Sequence, residues 1–251
     1  MDTSARKEKI VDHAKHIYTY SADNEKDNNK YEYIKLDNCS YIIRSVSSDI
    51  IENYNNGCLP SMYHNHFEMR RSIRVCLNNF VPTSEHRRVN RKINDKYKIK
   101  YIDKCNFTLW DDEDFINQCV NFGEKRYTFG GNITKEKIND IKNNKLINKV
   151  LIFYNDEITL GYSFLCDYFP VVHWWFSFYN LHTRFDCGIP LGKFIMGKIV
   201  EFFYEKGYDF VYLGTAYNNH NTYKIKNWNN VEYWDGNHFI KVKKHDKITW
   251  G

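Results

Sequence analysis

The sequence lacks several features that are typical of membrane-spanning, secreted or metal-binding proteins. It has no apolar run near the roughly 18 residues that cross a bilayer. Its start, MDTSARKEKIVDHAKHIYTY, has charges but no apolar centre, so we expect no secretion signal. The seven cysteines are scattered without any C-x-x-C spacing, which predicts neither a disulfide framework nor a bound metal. We therefore expect a reduced, cytoplasmic protein with no membrane partner.

The composition is that of a folded protein whose positive charge is concentrated in one stretch. Hydrophobic residues make up 42% and aromatic residues 17% of the 251 residues, enough for one large or two small cores. The net charge is only +5, yet residues 87–104 carry eight basic and two acidic residues. Such a cluster can bind phosphates, or it can be the solvated face of a helix followed by an amphipathic strand.

The pattern after residue 148 predicts a meander followed by a strand–helix–strand unit. Apolar runs at 149–154 and 158–165 flank a short polar turn and predict a hairpin, and 171–179 predicts a buried strand. Apolar residues then recur at helical spacing from Pro190, and Gly207 suits the helix end. Residues 209–213 predict a strand parallel to the one before the helix. Periodicity alone thus predicts an α+β fold with a mixed sheet.

Before residue 148, the sequence predicts two strands and three helices. Strands are expected at 31–36 and 39–46, and helices at 47–57, 108–127 and 134–144. The expected helix signals are Ser47 or Ser48 as a cap and Gly57 as a stop in the first helix, and Thr134 as the cap of the third.

Two stretches resemble a known family. SIRVCLNNFVPTSEHRR, residues 72–88, is similar to the segment S-x-R-[IV]-x-V-x-x-F-x-P-S-x-S-x-R-R of arginyl-tRNA–protein transferases and their bacterial leucyl relatives. LGKFIMGKIVEFFYEKGYDFVYLG, residues 191–214, resembles the family's S-L-G…Y-L-G stretch, with the same interval between the two L-G pairs. Weaker matches follow in the family's order at 122–133, at FSFYN (176–180), at Tyr223–Lys224 and near Glu232.

The resemblance implies a fold, a reaction and its partners. It implies a GNAT-like mixed sheet with flanking helices at residues 106–251 and a smaller N-terminal α/β region at residues 1–105. The implied reaction moves Arg or Leu from charged tRNA to the α-amino group of an acidic N-terminal residue of a protein or peptide. Aminoacyl-tRNA is then a co-substrate, and no cofactor is expected.

The resemblance also implies two sets of site residues. The catalytic candidates are Lys224, Tyr223, Asp186 and Tyr212. The substrate-binding candidates are Arg74, Arg87, Arg88, Tyr179, Gly192, Gly214 and Glu232.

Each candidate has a functional and a structural interpretation. Arg87 and Arg88 either contact tRNA phosphates or decorate a helix. Arg74 pairs either with an acceptor carboxylate or with a structural acid. Lys224 binds an acceptor carboxylate or the tRNA end, or it is a surface lysine. Tyr212 and Tyr223 either donate hydroxyls to the ester carbonyl or pack, and packing is favoured for Tyr212. Asp186 either caps the following helix or relays a proton.

The sequence departs from the family pattern in two places. Phe67 and Arg70 stand where the family has a cysteine pair, although Cys58, His64 and His66 are nearby. The loop from Gly214 to Tyr223 is shorter than in the family and lacks its K-M dipeptide, so a specialised peptide or small-molecule acceptor is an alternative. A non-catalytic tRNA-binding protein is another.

An acyl-CoA-dependent N-acetyltransferase is a further alternative on the same fold. The stretch RFDCGIPLGK lacks the Q/R-x-x-G-x-G/A pattern with which such enzymes bind pyrophosphate at a helix N-terminus. The glycine pattern therefore favours the tRNA-dependent branch.

Overall fold

The structure is a computed structural model that describes most of the chain. Described residues are 7–12, 15–21, 38–43, 50–61, 67–69, 72–93, 97–126, 133–156, 158–183, 188–215, 223–234 and 238–242. The predicted strand at 31–36 and the predicted caps Ser47 and Ser48 lie outside these residues. Within the described part, no helix is long and apolar enough to span a membrane.

The chain forms thirteen strands and six α-helices within the described residues. The strands are β1 (Lys7–Asp12), β2 (Lys15–Ser21), β3 (Asn38–Ile43), β4 (Cys58–Pro60), β5 (Phe67–Met69), β6 (Ser72–Cys76), β7 (Lys98–Asp103), β8 (Lys149–Asn155), β9 (Ile158–Tyr168), β10 (Val171–Tyr179), β11 (Phe210–Thr215), β12 (Val231–Trp234) and β13 (Phe239–Lys241). The helices are α1 (Ile50–Asn55), α2 (Ser84–Ile93), α3 (Glu113–Arg126), α4 (Lys135–Asn143), α5 (Leu191–Glu205) and α6 (Tyr223–Lys226).

The chain divides into two compact units, residues 1–76 with 212–251, and residues 77–211. We call them the split unit and the central unit. This division differs from the predicted one at residues 105 and 106, because β6 pairs with β12 near the other end of the chain. Antiparallel pairing of two distant segments encloses the middle of the chain as a unit of its own.

The split unit contains a five-stranded sheet in the order β1-β2-β3-β5-β4, all antiparallel. It also contains the strand order β11-β6-β12-β13, in which β12 runs antiparallel to both β6 and β13. Its core includes Tyr54, whose ring lies 5.5 Å from Phe67 and 4.8 Å from Tyr212 between centroids. These two ring contacts join α1, β5 and β11 in one aromatic cluster.

The central unit contains the predicted meander, α5 and the first two residues of β11, whose other residues belong to the split unit. Strands β7, β8, β9 and β10 pair antiparallel in sequence order, and the start of β11 lies beside the start of β10. The N–H of Asp209 donates to the carbonyl of Pro170 at 2.9 Å, so β11 and β10 start side by side and run parallel. Parallel neighbours need a crossover, which α5 supplies. The α+β fold with a mixed sheet that the sequence predicts is confirmed.

Helix α5 is held on the sheet by one apolar face. Its buried residues recur at helical spacing and are Leu191, Phe194, Ile195, Met196, Ile199, Val200 and Phe203. Pro190 is its N-cap residue, and Gly207 follows its end with φ +75°. Each buried aliphatic or aromatic side chain stabilises the fold by about 1.5–3 kcal/mol relative to an exposed one.

The other predicted helix signals are confirmed where the structure describes them. The hydroxyl of Thr134 accepts from the N–H of Lys137, so Thr134 is the N-cap of α4. Gly57 follows α1 with φ +73°, a conformation that a side chain disfavours. The described parts of the basic stretch 87–104 include most of α2 and all of β7, the helix and strand of the second sequence interpretation.

Two glycines with almost the same backbone provide a matched stability test. A Cβ on Gly57 would overlap the indole of Trp234, whereas a Cβ on Gly207 would meet nothing within 4 Å. We expect Gly207→Ala to lower the free energy of unfolding by about 1 kcal/mol through backbone strain alone. Gly57→Ala should cost about 3 kcal/mol, because Trp234 must also move. Urea unfolding measures both, and equal losses would contradict the Trp234 contact.

Candidate functional site

Arg74 and Glu232, both predicted to bind substrate, bind each other. They lie directly opposite on β6 and β12, and Arg74 Nε is 2.8 Å from Glu232 Oε2. Arg74 Nη1 also donates to the hydroxyl of Tyr212 at 3.0 Å, and its guanidinium lies 3.6 Å from the centroid of the Phe239 ring. The structure therefore places Arg74 on a structural acid, the second of the two sequence interpretations.

Tyr212 is fully buried and its hydroxyl takes part in two hydrogen bonds. It accepts from Arg74 and donates to the carbonyl of Tyr54 at 2.9 Å. Burial raises the pKa of Tyr212 to about 12, and the nearby Arg74 partly offsets this rise. The phenol is thus neutral at physiological pH and holds β6, β11 and α1 together.

Lys224 and Tyr223 begin the short helix α6. The ammonium of Lys224 donates to the carbonyl of Thr215 at 3.0 Å, and Tyr223 is 37% exposed. Gly214 precedes Thr215 with φ +81°, which suits glycine. Lys224 therefore ties α6 to the end of β11, while residues 216–222 between them lie outside the described part.

Tyr179 and Gly192, both predicted to bind substrate, meet in the central unit. A Cβ on Gly192 would overlap the Tyr179 phenol, and a Cβ on Gly161 would lie 2.8 Å from Tyr179 Cβ. The ring of Tyr179 also lies 5.0 Å from that of Phe122. Glycine at 192 lets the phenol lie against the first turn of α5, so the two predicted residues form one feature.

Tyr179 lines a cleft of about 380 Å³, which we call the α3 cleft. One wall is α3, and the others are the start of β9 and the end of β10 with the loop that follows it. Its buried floor is aromatic, with Phe115, Phe122 and Phe178, and its mouth is polar. A cleft of this size and mixture is typical of small-molecule sites.

Arg87 and Arg88 differ in what they contact on α2. The Arg88 guanidinium forms two hydrogen bonds to Glu85, at 2.7 and 2.8 Å. These bonds have the largest effect on the pKa of Glu85, and a hydrogen bond from Lys193 has the next largest. Together they lower that pKa to about 2, so the ion pair persists at physiological pH. Arg87 is exposed and donates to the carbonyl of Pro82 at 2.6 Å. Arg91, one turn after Arg87, is also exposed.

The other residues singled out in the sequence either are buried or lie outside the described residues. Asp186, His64, His66 and Arg70 lie outside them. Phe67 is 2% exposed and packs on Tyr54, and Cys58 is buried. Within the described part of the chain, no cluster of three or more His, Cys, Asp or Glu residues is placed to hold a metal ion.

Sequence reasoning missed several residues at the mouth of the α3 cleft. They are Gln118, Asn121, Lys125, Asn180 and His182. Asn180 and Lys125 lie inside stretches that resemble the family, at 176–180 and 122–133, but the motifs themselves gave them no role. Only the packing of α3 against β10 brings these distant segments together.

Comparisons with known proteins find distantly similar solved structures. No family model and no curated protein matches the chain. The C-terminal DUF2156 domain of a putative lysylphosphatidylglycerol synthetase from Agrobacterium fabrum is 14% identical, with a TM-score of 0.43 over 62% of this chain and 49% of that one. FemX is 8% identical, with a TM-score of 0.49 over 70% and 62%. L-PGS from Bacillus licheniformis is 9% identical, with a TM-score of 0.45 over 87% and 85%. The chain thus spans less than two thirds of the first two structures.

The Arg74–Glu232 pair is expected to stabilise the protein. Arg74→Ala should lower the free energy of unfolding by about 3 kcal/mol and Glu232→Ala by about 2 kcal/mol, because each leaves a part-buried charge without its partner. The double variant should show a coupling energy of about 1–2 kcal/mol in urea unfolding.

The exposed pair Arg88–Glu85 is the matched control for this cycle. Both of its side chains are 42% exposed, against 11% and 22% for Arg74 and Glu232. Its coupling energy should stay below about 1 kcal/mol. Additive losses at Arg74 and Glu232 would contradict a structural pair and leave Arg74 available to a substrate.

Proposed function

We propose that the protein is an aminoacyl-tRNA-dependent transferase that moves Arg or Leu from charged tRNA to the α-amino group of an acidic N-terminal residue. The proposal starts from the motifs that resemble arginyl-tRNA–protein transferases and is supported by the GNAT-like arrangement of β7–β11 and α5. The observation that carries it is the contact between Tyr179, which lines the α3 cleft, and Gly192 in the first turn of α5. Two residues chosen from separate motifs are thus in contact, and one of them lines a cleft.

The chemistry of this reaction makes modest demands on a protein. The aminoacyl ester is already activated, and an α-amino group with a pKa near 8 is partly neutral at pH 7. The enzyme has to hold amine and ester in line, accept one proton and stabilise a developing oxyanion. A cleft with an aromatic floor and amide-bearing mouth meets the first demand, and the Tyr179 phenol is a donor of the type needed for the third.

Lys224 retains a proposed role beside substrate. A lysine ammonium has three N–H donors, so its bond to the carbonyl of Thr215 is compatible with a further bond to a substrate oxygen. Its position is fixed by that carbonyl, which limits the freedom of its long side chain. We assign Lys224 to substrate binding at the end of β11.

Helix α2 is the proposed contact with the tRNA backbone. Arg87 and Arg91 are both exposed and lie four residues apart, so they share one face of the helix. The opposite face is buried through His86, Val89 and Ile93, which fixes the helix on the central unit. Arg88 is paired with Glu85, so it contributes to this surface only by balancing the negative charge of that carboxylate.

The first test is transfer of labelled amino acids from total charged tRNA to peptides that begin with Asp, Glu or Ala. We expect labelled Arg or Leu on the acidic peptides alone, because the proposed reaction requires an acidic first residue. Lys224→Ala should lose the transfer, whereas Lys100→Ala, which removes the same charge from an exposed position on β7, should retain it.

The outcomes of the transfer assay separate the alternatives. Transfer to none of the peptides, with charged tRNA still bound, would contradict the proposed acceptor and favour a specialised acceptor or a binding protein. Acetyl transfer from acetyl-CoA in place of aminoacyl transfer would overturn the tRNA-dependent reaction itself.

The proposed tRNA surface predicts a difference between neighbouring arginines. Combined Arg87→Ala and Arg91→Ala should weaken tRNA binding and flatten the slope of log affinity against log salt by about 1.5, since each lost phosphate contact removes about 0.7–0.9. Arg88→Ala is the matched control, and its slope should change by less than about 0.5. If the unsubstituted protein, the double variant and Arg88→Ala all gave the same slope, α2 would be a solvated helix without RNA contact.

A further inference from the structure

The α3 cleft has a marked electrostatic asymmetry. None of the described residues that line it is Asp or Glu, whereas Lys125 and His182 lie at its mouth. Three carboxamides, those of Gln118, Asn121 and Asn180, add N–H donors around them. A site that holds a lysine ammonium and no carboxylate, and whose carboxamides can donate, favours a ligand with a negative charge.

Lys125 is held at the mouth by a hydrogen bond to His182. Lys125 Nζ lies 3.2 Å from His182 Nε2, and the backbone N–H of His182 donates to Asn180 Oδ1 at 2.9 Å. A charged ammonium has only donors, so Nε2 is the acceptor and the imidazole proton resides on Nδ1. This contact positions the ammonium while leaving its charge uncompensated by a carboxylate within the cleft lining.

The floor of the cleft recognises an apolar group. Phe115, Phe122 and Phe178 are all buried, and Tyr179 is fixed against Gly161 and Gly192. A ligand that enters therefore exchanges water for aromatic surface at one end and meets an ammonium at the other. The volume of about 380 Å³ limits it to a small molecule or the end of a peptide.

We propose that the α3 cleft binds a small molecule or peptide end that carries a carboxylate beside an apolar portion, with Lys125 as the cation that recognises the carboxylate. This proposal deepens the proposed function. The identification of the ligand as the acceptor rests on that function. The ammonium of Lys224 is bound to Thr215 in the split unit, and Lys125 on the central unit is a second lysine proposed for acceptor recognition.

A carboxylate fits this position better than a phosphate. Lys125 lies in the last turn of α3, where the helix dipole places partial negative charge. Protein phosphate sites instead use helix N-termini and backbone N–H groups. A dianion is penalised more than a monoanion at this end of the helix, and the carboxamides suit a singly charged group.

The test is isothermal titration of the full chain, without tRNA, with Glu-Ala and Gln-Ala peptides that are amidated at the C-terminus. The two ligands differ only in one carboxylate. We expect Glu-Ala to bind about tenfold more tightly, the lower range for a hydrogen bond to a charged group. Lys125→Met should remove this preference and leave the affinity for Gln-Ala unchanged.

Two further variants guard against a misleading result. Lys135→Met removes an exposed lysine at the start of α4 that does not line the cleft, and it should keep the tenfold preference. Gln118→Trp narrows the mouth from an exposed position, so it should weaken both peptides without disturbing the core. Circular dichroism checks that each variant is folded.

Several results would overturn the proposal. These are equal affinity for the two peptides, no binding of Glu-Ala at millimolar concentration, a preference that survives Lys125→Met, or displacement of Glu-Ala by inorganic phosphate at equal concentration. The titration contains no tRNA, so its result does not depend on the transfer reaction. A preference for Glu-Ala, together with no transfer in the labelled amino-acid assay, would support the carboxylate site and reject the proposed reaction.

Discussion

The guanidinium of Arg74 is the group on which the split unit depends. A charge this far from water is costly unless it is paired, and Arg74 is paired by groups from four other elements. Glu232 on β12 neutralises it, Tyr212 on β11 and Asn55 on α1 accept from it, and Phe239 on β13 covers its face. None of these elements is adjacent to β6 in sequence, so one side chain fixes how distant segments pair.

This arrangement restricts what its members can do chemically. The Tyr212 hydroxyl donates to Tyr54 and accepts from Arg74, and its pKa of about 12 keeps the proton in place at neutral pH. A general acid needs a pKa close to the working pH and a free path to substrate. Tyr212 therefore acts best as a positioning residue, whereas Tyr179 lines the α3 cleft in the central unit.

The sequence was informative where structure is local and silent where it is not. Helix α5 could be predicted from its apolar spacing, Pro190 and Gly207, since each signal acts within a few residues. The β8–β9 hairpin was predictable for the same reason. The partners of Arg74 and Lys193 were not: Glu232 is 158 residues from Arg74, and Lys193 reaches Glu85 from another helix. Motif resemblance selected Arg74 and Glu232 separately, but only the register of β6 and β12 shows that they bind each other.

The basic residues of this chain illustrate why charge in a sequence is a poor guide to binding until partners are known. Many of the lysines and arginines that the structure describes are matched by acids: Arg74, Arg88, Lys142, Lys149, Lys193 and Lys198. Lys125 contributes little to any sequence cluster, yet it lies at a cleft whose described lining includes no carboxylate. Recognition of an anion depends on local imbalance of charge within a confined space, where water screens least. By that criterion the α3 cleft, and the exposed face of α2 with Arg87 and Arg91, are better candidates for binding than the paired arginines beside them.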